Sequence, residues 1–185
     1  MADLSGAFAD PARDAAAVFR AALGAMARPG RIARLAGAAP PPPVSPAAGA
    51  LLLTLCDATT PLHLAGRHDC AALRDWLTFH TGAPVAARAD CAFALGDWAA
   101  LLPLSDYARG TPDYPDRAAT LIAEVPHLAG AGARLTGPGI ADAAFLSVPA
   151  ELAVRPGAFP LGLDLFLTCG ADCAGLPRTT HVEAG

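Results

Sequence analysis

A chain of 185 residues can bury roughly 70% of its unfolded surface in one domain, so neither disulfides nor a structural metal is needed to hold a core. Much of its 54% hydrophobic content is alanine, and its 16% charged residues fall below the ~25% usual for soluble domains. With so few charges, part of the apolar surface is expected to be covered by another subunit. The net charge of −4 argues against nucleic acid as a partner, and all thirteen basic residues are arginine.

The absence of lysine removes the amine needed for Schiff-base chemistry and for the internal aldimine of pyridoxal phosphate, and also the lysine of a phosphate-binding P-loop. A pyridoxal aldimine is thereby excluded, no cofactor is expected, and any bound anion must be held by arginine, hydroxyls or backbone N–H groups. The N-terminal MADLSGAFADPARDAA carries acids early and has no apolar core of a signal peptide. The longest apolar candidate, near Ala47–Cys56, is too short to span a membrane, which leads us to expect a cytoplasmic protein. Five cysteines, an odd number, fit reduced thiols.

In chain order, Val18, Phe19, Ala22, Leu23 and Met26 recur at helical spacing between Asp14 and Ala27, and Arg28-Pro29-Gly30 ends the run. A short strand, Arg31–Leu35, follows. The proline run Pro40–Pro43 lies too near the start to separate two domains, so 38–46 reads as an extended surface loop of a single domain covering 1–185. Ala48–Cys56 is predicted helical and Pro61–Leu64 a strand. In Ala71–His80, Leu73, Trp76, Leu77 and His80 form one helical stripe. Cys91–Leu95 reads as a strand, Trp98–Leu102 as a helical turn, and Tyr107–Asp116, with Pro112 and Pro115, as a loop.

Further on, Ala118–Glu124 fits a buried strand with Arg134–Thr136 as a possible neighbour. Gly137-Pro138-Gly139 is a turn and Ala150–Val154 a helix fragment. Leu163–Thr168 and Ala174–Leu176 flank a short glycine-containing loop and suggest a β-hairpin. Alternating strands and helices that end in a hairpin predict an α/β fold with a mixed β-sheet flanked by helices.

Four groupings could carry chemistry. In LPRTTHVE (Leu176–Glu183), a continuing strand would put Arg178 and Thr180 on one face and Thr179 and His181 on the other. Arg178 and Thr180 could then bind a phosphate or phosphonate; alternatively the segment is a strand edge that presents an arginine at a subunit interface. Cys169 and Cys173, brought close by the hairpin, with His181 farther on, have metal-like spacing, but a structural zinc needs four ligands, so no metal is expected. Cys56, Cys70 and Cys91 read as core thiols.

RLTGPGI (Arg134–Ile140) has a Gly-x-Gly look but lacks the third glycine of a dinucleotide loop, and Pro138 removes a donor, so it reads as a turn. No Gly-x-Ser-x-Gly elbow surrounds Ser147 or any other serine. His63, His68, His80 and His127 are scattered, and His80 reads as a satisfied, half-buried histidine. No catalytic residue emerges.

FPLGLDLFLTCG (Phe159–Gly170) followed by LPRTTHVE closely resembles the C-terminal signature of one family, the H subunit of the bacterial carbon–phosphorus lyase core complex. FRAALGAMARPGRI, LLLTLCDATTPL, LRDWLTFHTGAP and RLTGPGI match along the rest of the chain. The resemblance implies a cytoplasmic homodimer with a fold similar to pyridoxal-phosphate-dependent transferases but without the cofactor. It implies G, I and J as partner subunits. With the G, I and L proteins, such a subunit supports transfer of a phosphonate to the ribose C1′ of ATP with release of adenine. The family offers no catalytic residue to carry over, and the binding or interface candidates remain Arg178, Thr179, Thr180 and His181.

Overall fold

The computed structural model describes residues 3–154 and 159–183. Helix α1 (Pro11–Ala27) starts three residues before the expected Asp14, because Asp10 caps it. The Asp10 carboxylate accepts the Arg13 N–H at 3.2 Å, and Pro11 occupies the first helical position, where no N–H is needed. The remaining elements are β1 (Ile32–Arg34), α2 (Pro46–Leu55), β2 (Leu62–Leu64), α3 (Ala71–His80), β3 (Phe93–Asp97), α4 (Trp98–Leu101) and β4 (Thr120–Glu124). They are followed by β5 (Ala133–Thr136), β6 (Ala144–Leu146), β7 (Asp164–Cys169), β8 (Asp172–Leu176) and β9 (His181–Glu183).

The main sheet runs β1-β8-β7-β4-β3-β2. Strands β2, β3, β4 and β7 are mutually parallel, while β8 and β1 are added antiparallel, which bears out the expected mixed sheet. Its central strands are buried on both faces, so alternation sorts their side chains between two cores rather than between core and water. Leu95, Ile122, Phe166 and Cys173 face α1, α2 and α3. Leu121, Ala123, Leu165, Leu167 and Ala174 face α4 and the second sheet.

That second sheet, β6-β5-β9, corrects the expectation that Arg134–Thr136 neighbours β4. β5 pairs with β6 and β9 instead, and β6 is too short and too plainly composed to announce itself in the sequence. Strand β3 also lies two residues later than expected, because it runs through Gly96. A side chain there would meet the Ala65 Cβ at 2.8 Å, so the glycine lets the exit of β2 lie close against the strand.

The proline-rich segment 38–46 runs at the surface, with Ala39, Pro42 and Pro46 exposed, but it is anchored to the fold along its length. Ala38, Val44 and Ser45 are buried, and a Cβ on Gly49 of α2 would meet the Pro40 ring at 2.5 Å. The polar groups are satisfied as the segment packs: Val44 N–H donates to the Pro41 carbonyl, Ala47 N–H to the Gly170 carbonyl, and Ser45 N–H to Glu124 Oε1 at 2.7 Å. The Pro40 ring is itself apolar, and it lies against a helix whose residues from Ala47 to Leu52 are all buried. At the other end of the layer the N-terminal segment straps α3. Trp76 Nε1 donates to the Ser5 carbonyl at 2.8 Å, and His80 Nε2 lies 2.8 Å from the Leu4 carbonyl, the satisfied half-buried histidine expected from its stripe.

Candidate functional site

The LPRTTHVE segment does not continue as one strand. β8 ends at Leu176, Pro177–Thr180 forms a turn closed by the Thr180 N–H on the Pro177 carbonyl at 3.0 Å, and the chain then joins the other sheet as β9. Two sheets claim its two ends, which is why strand alternation does not describe it. His181 is exposed at the start of β9, opposite Thr136, while Thr180 is buried and Thr179 half-buried in the turn.

Arg178 is drawn inward by Asp164, the first residue of β7. Its backbone N–H donates to Asp164 Oδ1 at 2.8 Å, its Nε lies 3.2 Å from both carboxylate oxygens, and its Nη2 lies 2.5 Å from Oδ2. Nη1 reaches the Pro115 carbonyl at 2.5 Å and the Pro160 carbonyl at 3.4 Å. The pair is mostly shielded, with 15% and 24% side-chain exposure. A carboxylate already occupies the position that a phosphate or phosphonate would take on this guanidinium, and Arg178 thereby ties the 107–116 loop to the sheet.

Beside this clamp lies an open apolar groove of about 330 Å³, between α1 and the amino ends of the parallel strands. Phe19, Leu23 and Met26 of α1 form one wall, with Leu55, Phe93 and Phe166 among the residues opposite. Phe19 and Leu23 remain 51% and 58% exposed, although the sequence placed them in the helix's apolar stripe. Val18, Ala22 and Ala25 are the residues α1 buries against the sheet. A second stripe, one position on, is left to solvent, and its signal was an apolar arc wider than one helix face requires. Asp164, Phe166 and Pro177 all line the groove, so both halves of the C-terminal signature lie beneath it.

Small-molecule sites in parallel sheets sit at the carboxyl ends of the strands, opposite this groove. Here those ends carry Asp97, Glu124 and Thr168, and they are engaged internally. Arg67 holds Asp97 with bonds of 2.7 and 2.8 Å, Glu124 accepts the Ser45 N–H, and Thr168 donates to the Ala123 carbonyl. His68 lies behind them, fully buried, with neither ring nitrogen hydrogen-bonded. Burial holds its pKa below the ordinary value, against the opposing pull of Glu124 and Asp97.

The remaining motifs are structural. Paired strand residues share a face, and β7 pairs Thr168 with Cys173 and Cys169 with Asp172. The hairpin thus sets Cys169 and Cys173 at neighbouring positions as expected, but their side chains point to opposite faces, in separate cores, and form no common pair of ligands. His181 stands in the other sheet, and among the described residues no His, Cys, Asp and Glu group could hold a metal. Cys56 and Cys173 are buried thiols pushed up to about 12, and Cys91 to about 11, chiefly by burial, while Cys70 is only half-buried. The Gly137–Gly139 turn packs against the chain: a Cβ on Gly137 would stand 2.8 Å from the Thr179 carbonyl oxygen. Ser147 Oγ accepts the Ala129 N–H at 2.8 Å and lies 3.3 Å from the His127 carbonyl, a link between loops. Among the remaining histidines, His63 Nδ1 lies 3.0 Å from the Ala86 carbonyl, and His127 is exposed.

Residues 6–183 match the family model of the bacterial phosphonate metabolism protein PhnH. The chain is 42% identical over 191 residues to alpha-D-ribose 1-methylphosphonate 5-triphosphate synthase subunit PhnH of Rhizobium meliloti, covering 97% of this chain and 95% of that protein. It is also 32% identical over 188 residues to HtxG of Stutzerimonas stutzeri, described as a C-P lyase subunit, covering 89% of this chain and 84% of that protein.

Proposed function

Because the chain belongs to the bacterial phosphonate metabolism protein family PhnH, we propose that it serves as the H-type subunit of a ribose 1-methylphosphonate 5-triphosphate synthase within a carbon–phosphorus lyase system. Its role is assembly, as one folding unit: it docks onto neighbouring subunits, and the chemistry is carried elsewhere in the complex. The observation that carries this reading is the groove. Phe19 and Leu23 stand exposed along α1 over an apolar floor, at the end of the sheet opposite the usual ligand crevice.

The partners are the G, I and J subunits and a second copy of this chain, and the compartment is the cytoplasm. No helix among the described residues is long and apolar enough to cross a membrane. The mixed sheet is read as similar to that of pyridoxal-phosphate-dependent transferases, and a chain without lysine has no amine with which to hold that cofactor as an aldimine.

The test is reconstitution of adenine release from ATP and methylphosphonate, with and without this subunit. Release that needs the chain supports the proposal. Full activity in its absence overturns it.

A further inference from the structure

The acids and bases of this chain are unevenly placed. From Ala15 to Cys56 there is no aspartate or glutamate, although the molecule as a whole carries a net charge of −4. The same stretch holds Arg20, Arg28, Arg31 and Arg34. All four are exposed, and among the described residues they form no ion pair, like Arg13, Arg109 and Arg117 but unlike Arg67, Arg74, Arg88, Arg134 and Arg178, which each pair with a carboxylate.

The fold brings these four arginines to one cleft of about 420 Å³ between α1 and the edge strand β1. Arg20 and Arg28 come from the helix, Arg31 from the turn, and Arg34 from the strand. Two acids lie beside Arg34: Asp172 is opposite it in register, and Asp14 lines an adjoining hollow together with it. The edge strand adds backbone donors and acceptors together: the Leu35 N–H bonds to the Ala171 carbonyl, so by antiparallel alternation both the N–H and the C=O groups of Ile32 and Arg34 point to the free edge.

Gly24 is the second observation. It lies in the middle of α1, where glycine is less favourable than alanine, and a Cβ there would meet nothing within 4 Å. Packing does not demand the glycine. Its effect is to leave the helix backbone bare at the wall of the cleft.

We propose that this cleft binds a phosphorus oxyanion, the triphosphate tail of a nucleotide or a phosphonate, through Arg20, Arg28 and Arg31, with Gly24 leaving it room. Arginine forks match such oxyanions in a two-point geometry, and the volume falls within the range of small-ligand sites. The proposal rests on the synthase reading above, since the ligand class is that of a phosphonate- and triphosphate-bearing compound. It locates anion recognition away from Arg178.

Calorimetry on the full chain at low ionic strength tests it, with tripolyphosphate, ATP and methylphosphonate titrated separately. We expect saturable binding of at least one. Tripolyphosphate with ATP identifies the triphosphate as the group recognised, and methylphosphonate alone identifies the phosphonate. The double variant Arg28→Ala/Arg31→Ala should weaken binding by at least about tenfold, and added salt should weaken it further. Gly24→Leu should abolish binding while leaving the melting temperature unchanged or raised, because leucine favours the helix.

The proposal is overturned if all three anions are silent, or if binding survives both variants. A chain that ignores the anions yet loses a partner subunit in the variant Arg28→Glu/Arg31→Glu has an acidic protein partner at this cleft, which also overturns it. None of these results depends on whether adenine release requires the subunit, so the two readings fail separately.

Discussion

Arg178 and Asp164 bind each other through both backbone and side chain: the Arg178 N–H and its guanidinium converge on one carboxylate at the first residue of β7. Because Asp164 and Pro177 also line the apolar groove, the ion pair holds the floor of the surface assigned to docking.

Removing the arginine leaves a largely shielded carboxylate without its counter-charge and frees the 107–116 loop at Pro115. Fully buried pairs cost about 3–5 kcal/mol when broken in this way, and partial exposure reduces that here to about 2–3 kcal/mol. Arg178→Ala should lower the denaturant midpoint accordingly. Arg178→Lys should recover little, since an ammonium cannot span the carboxylate and two carbonyls together. A variant as stable as the wild type would show that the pair contributes nothing to the fold.

Gly175 sets how closely α1 approaches the sheet. A Cβ on this β8 residue would stand 2.6 Å from the Met26 nitrogen and 2.7 Å from the Ala25 carbonyl carbon, both backbone atoms that cannot turn aside. Gly175→Ala should therefore push the helix outward, at a cost of about 1–3 kcal/mol as overpacking. Equilibrium unfolding gives the number, and an unchanged midpoint would mean that α1 is not held as described.

His68 gives stability a pH dependence. Burial lowers its pKa in the folded chain, so the unfolded chain binds the proton more readily. This contribution is present in full above the unfolded value of about 6.5 and is lost as pH falls from there through the folded pKa. His68→Leu replaces an imidazole lacking hydrogen bonds with an apolar side chain, so it should flatten the stability profile below pH ~6.5 relative to wild type. Parallel wild-type and variant curves from pH 5 to 8 would contradict the assignment.

The parts of the fold that were legible from sequence are those where a local pattern and the tertiary environment agree. Ala71–His80 carries one apolar stripe and buries it; Cys169–Cys173 carries a glycine between two apolar runs and turns there, with Gly170 at positive φ. What escaped was set by distant partners. LPRTTHVE looked continuous, yet two different sheets take its ends, and nothing local reveals that Asp164 waits for Arg178. The groove was half legible, since Phe19 and Leu23 were visible as apolar while their exposure depends on which stripe the sheet accepts. The arginine cleft was not legible, because Arg20 and Arg34 meet only after the chain reverses at Gly30.

The central claim is that the chain acts by docking through the α1 groove, and the double variant Phe19→Glu/Leu23→Glu tests it most directly. Both side chains are exposed in the isolated chain, so the fold should tolerate the change, whereas each buried in an interface is worth about 1.5–3 kcal/mol. The measurement is co-purification of the variant with the remaining subunits, alongside its own melting temperature. The account predicts an unaltered melt and a complex that forms without this subunit. A variant that melts normally and still co-purifies in full yield would contradict it.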